Sequence, residues 1–246
     1  MENAAPKKDI LLQLQKDILS MQGHKTMPGN GIFNSGLNVV ENSFPNNTFP
    51  TGAVHEFLSK LPEDATASNA FISLLLGRLA QDNGTCLWIG NRRSIFPPPL
   101  KLFGVQPDRV VFVYLKNEKE IRWTIEEALK CASLSAVVGE VSNLNFIESR
   151  RLQLAVEESH VTGFIHRYKP KSVDNLACAA RWMIKPLPSV SIDGLPGVGK
   201  PCWDVELLKA RNGTPGRWQM HWDGGRLKQF IPEPAVLQKP QMLRAV

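Results

Sequence analysis

Hydrophobic and polar positions alternate between two rhythms along this chain. Apolar runs of strand length occur at residues 53–58 (AVHEFL), 85–89 (TCLWI), 109–115 (RVVFVYL), 135–141 (SAVVGEV) and 161–165 (VTGFI). Between them lie segments with helical spacing, at about 68–81, at 118–134 and at 146–159. In the second, Ile121, Ile125, Ala128, Leu129 and Ala132 fall on one face; in the third, Arg150 and Arg151 fall on the polar side. Continuous apolar strands alternating with helices predict a parallel sheet covered on both faces. Residues 96–103 read as a Pro-rich turn with one helical turn, ended by Gly104.

After Tyr168 the rhythm changes. Strand-like runs at 177–185, 203–210, 217–222 and 228–231 are separated by DGLPGVG, RNGTPG and DGG, and residues 219–226 read as a hairpin. The expected fold class is therefore α/β, a mixed sheet with parallel strands first and antiparallel strands in the C-terminal part.

The flanks divide differently. Residues 1–23 predict one amphipathic helix, with Leu11, Leu14, Ile18 and Met21 at helical spacing and Gly23 as its stop. Its apolar stripe needs cover, either from a partner subunit or from its own domain. Residues 24–50, rich in Gly, Asn and Pro, predict an irregular connector with a surface-hugging path and one short element near Leu37–Val40. The core domain is placed at 51–231, and 232–246 predict a flexible tail.

Composition narrows the function classes. The chain has 246 residues, 43% hydrophobic and 21% charged, which suits one α/β domain with arms. No apolar run approaches the roughly 20 residues needed to span a bilayer, and the start MENAAPKKD does not read as a signal peptide. The four cysteines are far apart, which argues against a disulfide framework or a zinc site and for reduced thiols in a cytosol. The net charge of +6 fits an anionic partner such as nucleic acid, or an ordinary basic surface.

Residues 51–90 follow the layout strand, loop, helix, strand of a P-loop nucleotide-binding unit. Such a loop is glycine-rich and ends in Lys-Ser/Thr, so that backbone N–H groups and an ammonium hold the phosphates. Here it reads Ser59-Lys60-Leu61-Pro62-Glu63-Asp64-Ala65-Thr66, without glycine and with two carboxylates. Ser59, Lys60 and Thr66 are what remains of a nucleotide site, and no cofactor is expected. The run Gly194-Leu195-Pro196-Gly197-Val198-Gly199-Lys200 has a phosphate-loop spacing, but Pro201 follows where Ser or Thr should bind magnesium, and the next residues are strand-like. It reads as a turn. A metal-binding carboxylate at the end of the SAVVGEV strand would be Glu140, although Gly139 could equally hold that position. The catalytic glutamate expected after the TCLWI strand is replaced by Gly90-Asn91-Arg92-Arg93. His55, His160, His166 and His221 lack partners at ligand spacing and suit packing or strand-end roles. Arg92, Arg93, Arg167, Tyr168, Lys169 and Lys171 fall in or near loops and are the candidate contacts to a phosphodiester backbone, with solvated charge as the plain alternative.

The runs FPTGAVHEFLS, LLGRLAQDNGTCLWIGNRRSIFPPPLKLFGVQPDRVVFV, SRRLQLAVEESHVTGF and LPGVGKPCWDVELLKARNGTPGRWQMHWDGG together resemble the ImuA family of bacterial error-prone repair proteins, over roughly 49–225. The resemblance implies a RecA-like three-layer core, more distantly similar to RecA and SulA. It implies a part in damage-induced translesion synthesis beside an ImuB-like Y-family polymerase relative and an error-prone DNA polymerase, with single-stranded DNA as a further partner. Because the phosphate-loop residues have no match, the expected role is a non-enzymatic adaptor in the cytoplasm. The alternatives are a DNA-dependent ATPase using Lys60 and a SulA-like division inhibitor.

Overall fold

The computed structural model describes residues 35–80, 84–173, 175–190 and 199–230. One nine-stranded sheet organises them, in the order β3-β2-β4-β5-β1-β6-β7-β8-β9. Strand β1 (Val54–Ser59) leads into helix α1 (Pro62–Leu79), and β2 (Thr85–Gly90) and β3 (Val110–Tyr114) come next. Helix α2 (Glu118–Leu129) precedes β4 (Leu134–Val141), and α3 (Phe146–Ser159) precedes β5 (Thr162–Tyr168). Strand β6 (Ala180–Val190) lies parallel to β1. Strands β7 (Lys200–Ala210), β8 (Gly216–Asp223) and β9 (Arg226–Gln229) add antiparallel. The expected mixed sheet is thus present, and its parallel part extends one strand further than the change of rhythm suggested.

Alternate residues of each parallel strand feed opposite layers. Trp88, Val138 and Phe164 pack with Phe71 and Leu75 of α1 on one face. Their neighbours Ile89, Val137 and Ile165 pack with Ile121, Ile125, Leu152 and Val156 of α2 and α3 on the other. Both faces are covered, which is why these strands read as continuous apolar runs. In β7 the buried Trp203, Val205 and Leu207 share the α1-side cluster, while Glu206 between them is half-buried. Helix α2 stops at Leu129, short of the expected 134, and Ala132 is exposed in the turn before β4. The Ser159 hydroxyl donates to the Leu129 carbonyl at 2.5 Å and fixes that end.

The connector departs from its expected course. Its described residues hold short 3-10 turns at Asn38–Ser43 and Pro45–Asn47, but Leu37, Val40, Phe44 and Phe49 are fully or almost fully buried. Phe44 sits 5.9 Å from Trp182, and Phe49 stacks on His55 at 4.4 Å. The aromatic side chains enter the α1-side core, while the Pro- and Asn-rich backbone keeps its irregular path. The predicted 1–23 helix, residues 24–34, the turn at 194–198 and the 232–246 tail lie outside the described residues.

Arg167 is also displaced from its expected role. The HRYKPK run begins inside β5, and Arg167 is 0% exposed. Its Nη1 donates to Glu56 Oε1 at 2.8 Å and its Nη2 to the Ser172 carbonyl at 2.9 Å. Arg181 Nε reaches the other Glu56 oxygen at 2.5 Å. A guanidinium held this way under the sheet edge cannot meet a phosphate backbone. Removing Arg167 leaves Glu56 paired with Arg181 but takes the donor from the buried Glu56 Oε1 and from the Ser172 carbonyl, at a cost of about 1–3 kcal/mol for each group left unsatisfied. Arg167→Ala is therefore expected to lose stability of that order in urea unfolding. A change below about 1 kcal/mol would contradict a structural role for this arginine.

Two buried histidines add a pH dependence. His55 Nε2 lies 2.7 Å from the Pro50 carbonyl, and its Nδ1 receives the Trp182 indole N–H at 3.4 Å. This pattern fits one neutral tautomer, and burial pulls His55 down to about 4. Burial, aided by the charge of Arg92, does the same to His166, again to about 4. The unfolded chain takes up these protons near pH 6.5, so the stabilisation is complete above that pH and lost as pH falls toward 4. At 1.36 kcal/mol per unit, each group accounts for up to roughly 3 kcal/mol. Urea midpoints are expected to fall between about pH 7 and pH 5, with a shallower slope in His55→Phe; equal slopes in the two proteins would refute the His55 assignment.

Candidate nucleic-acid interface

The remnant of the phosphate loop is shorter than its sequence suggested. Strand β1 ends at Ser59 and α1 begins at Pro62, so only Lys60 and Leu61 lie between them. Pro62 occupies the first helical turn, where its missing N–H costs nothing. Glu63 and Asp64 therefore belong to the helix, and so does Thr66. Asp64 is 4% exposed, and its Oδ2 accepts the backbone N–H groups of Lys60 at 3.3 Å and Leu61 at 3.1 Å. Free N–H groups at a helix start are the usual seat for a phosphate. Here the chain's own carboxylate accepts the N–H of the cap residue Leu61 and of Lys60 before it, and places a negative charge beside the helix start.

The remaining nucleotide candidates are dispersed. Ser59 is buried, with its hydroxyl 2.9 Å from both Ser68 Oγ and His166 Nε2. The Thr66 hydroxyl donates back to the Pro62 carbonyl at 3.1 Å, and the Lys60 side chain is exposed. Of the GLPGVGK run, Lys200 opens β7 and its Nζ pairs with Asp223 at 2.8 Å. The residues after the run form a strand, whereas a phosphate loop feeds a helix.

Glu140 is the acid at the end of β4, since Gly139 faces Ile125 on the opposite layer. Its Oε1 accepts the Trp88 indole N–H at 2.9 Å and the Ser94 hydroxyl. Burial pushes its carboxyl above the usual carboxylate range, against the opposing pull of Ser94, Trp88 and Arg92.

The cationic candidates converge. Parallel strands end on one edge of the sheet, and there β2 delivers Arg92 and Arg93, β3 delivers Tyr114, and β5 delivers Tyr168, Lys169 and Lys171. The Arg92 guanidinium lies 4.6 Å from the Tyr168 ring centre, and Lys169 Nζ lies 5.3 Å from the same ring. Arg93 stands over Tyr114 at 5.9 Å. Both tyrosines of the chain are thus on this edge, each beside a cation. Lys171 is exposed, with its backbone N–H on Asn143 Oδ1 at 3.3 Å. Leu61, Phe146, Ile147 and Val173, all about half exposed or more, belong to the segments that follow β1, β4 and β5. Cations beside exposed aromatic and apolar side chains suit a single strand, whose phosphates and base faces are both accessible. Arg150 and Arg151 do not join the group, because α3 pairs them with Glu157 and Glu126.

Two features differ in how far the sequence shows them. Tyr114 stands in an apolar run and reads as buried. The closure by Asp64 has a usable signal, because Pro followed by two acids is itself a helix start.

No protein-family model matches the chain. Over 191 residues it is 33% identical to Protein ImuA in two strains of Caulobacter vibrioides, covering 73% of this chain and 78% of that protein. Among solved structures it resembles the RadB recombinase, with a TM-score of 0.50 and 12% identity over 73% of this chain and 91% of that one. It also resembles a KaiC-like protein from Pyrococcus horikoshii, with a TM-score of 0.50 and 11% identity over 77% of this chain and 97% of that one. These structural likenesses identify the core as RecA-like. The extent of the match to the Caulobacter proteins carries the remaining step: the chain belongs to the ImuA family.

Proposed function

We propose that this protein is a non-catalytic accessory factor of damage-induced translesion DNA synthesis and mutagenesis. It acts with an ImuB-like, polymerase-related partner and an error-prone DNA polymerase, and it contacts single-stranded DNA along the edge that carries Arg92, Arg93, Tyr168, Lys169 and Lys171. Membership of the ImuA family supports the pathway. The observation that carries the non-catalytic reading is the Asp64 carboxylate against the Lys60 and Leu61 N–H groups. Phosphoryl transfer needs positioned phosphates and charge stabilisation around them. At this helix start a triphosphate would have to displace a buried carboxylate, and Glu63 would add its repulsion.

On this reading the RecA-like frame serves as a platform. The sheet edge meets DNA through phosphate contacts and stacking, with no base-specific readout, as befits a factor recruited by damage rather than by sequence.

Replacing Arg92, Arg93, Lys169 and Lys171 together by alanine is expected to weaken binding of a fluorescent oligothymidylate. The slope of log K against log salt should shrink by about 0.7 for each phosphate that the variant no longer neutralises. An unchanged slope would place any DNA contact elsewhere on the molecule. Affinity capture of the full-length chain from damaged cells is expected to recover the polymerase-related partner; recovery of a cell-division protein in its place would favour the SulA-like alternative.

A further inference from the structure

Glu140 stands where a RecA-like ATPase would keep a metal-binding carboxylate, yet its surroundings serve another end. The stretch that follows β2 is built around it. Trp88 donates its indole N–H to Glu140 Oε1 at 2.9 Å, and Ser94 donates its hydroxyl to the same oxygen. Gly90 lies between them, and a Cβ there would stand 2.9 Å from Glu140 Oε2, so the missing side chain leaves the carboxylate its room. The two donors bracket Asn91, Arg92 and Arg93. The Ser94 N–H also returns to the Arg92 carbonyl at 3.0 Å, which closes the turn on itself. A small cavity of about 90 Å³ is lined by Asn91, Arg92, Glu140 and Tyr168, the ring over which Arg92 lies.

We propose that Glu140 is a positioning residue for the DNA-binding edge: it clamps the 91–94 turn to β4 and holds the Arg92–Arg93 pair over the two tyrosines. The proposal rests on the single-stranded DNA reading for its consequence, and on the hydrogen bonds to Trp88 and Ser94 for its mechanism. It assigns to the acid at this strand end a role that needs neither metal nor nucleotide. A carboxylate suits the task because one oxygen can accept two donors from one face. It also carries charge opposite to that of Arg92, which draws the turn inward.

The sign of the expected effect separates positioning from plain electrostatics. Removing a negative charge from a basic interface should by itself strengthen binding to an anionic strand. Positioning requires the opposite. Glu140→Ala is expected to weaken oligothymidylate binding and to lower the salt slope by about 0.7 to 1.4, the equivalent of one or two phosphates. Glu140→Gln keeps an acceptor for Trp88 or Ser94 and should bind at least as tightly as the native chain. Added to Arg92→Ala/Arg93→Ala, Glu140→Ala should have no further effect on binding. A second readout needs no DNA: amide exchange at Ser94 and the indole N–H resonance of Trp88 should both change in Glu140→Ala while folding cooperativity is kept.

Tighter or unchanged DNA binding by Glu140→Ala, or an equal loss in the arginine-free background, overturns the proposal. Native exchange at Ser94 in Glu140→Ala overturns it as well. If Arg92→Ala/Arg93→Ala itself leaves DNA binding unchanged, the DNA reading falls, and the clamp is decided by the exchange and indole data alone.

Discussion

The N-terminus of α1 is closed by a carboxylate of its own first turn, and much else in this molecule follows from that contact. A helix start between a central parallel strand and its crossover is a ready anion seat. In this chain Asp64 accepts the Lys60 and Leu61 N–H groups and sets a negative charge beside that seat. Beneath it Ser59, Ser68 and His166 form a buried polar chain that ties β1, α1 and β5 together. On the proposed reading the strand-turn-helix is kept as framework, and internal hydrogen bonds take the place of phosphate contacts.

The same substitution recurs at two other acids of the central sheet. Glu56 on β1 is engaged by Arg167 and Arg181, and Glu140 on β4 by Trp88 and Ser94. Both carboxylates are engaged by neighbouring strands and turns. The outward consequence is an edge where cations stand beside aromatic rings, which suits a strand of nucleic acid better than a soluble triphosphate. On the proposed adaptor reading, a scaffold whose ligand sites are filled from within keeps its fold while its contacts move to the surface.

The division between parallel and antiparallel strands was legible to within one strand, β6, because burial on two faces and on one face leave different patterns. The candidate cations were legible as charges but not as a group, since their convergence depends on the parallel register of β2, β3 and β5. Arg167 shows the limit most clearly. In the run HRYKPK it is one basic residue among several, and its partner Glu56 lies 111 positions away on a different strand, so nothing local marks it as buried. Tyr114 shows the converse: an aromatic in an apolar strand reads as core, but this one is the last residue of an edge strand and emerges beside Arg93. The aromatic anchors of the connector were likewise hidden by the Gly, Asn and Pro around them, because composition reports the backbone path and not where Phe44 and Phe49 point.

The most direct test of the account is equilibrium binding of magnesium-ATP to the full-length chain in the presence of single-stranded DNA, with hydrolysis followed in the same samples. A closed helix start predicts no saturable nucleotide binding and no phosphate release above the rate without protein. Saturable binding that is abolished by Lys60→Ala, with turnover that depends on Glu140, would contradict it.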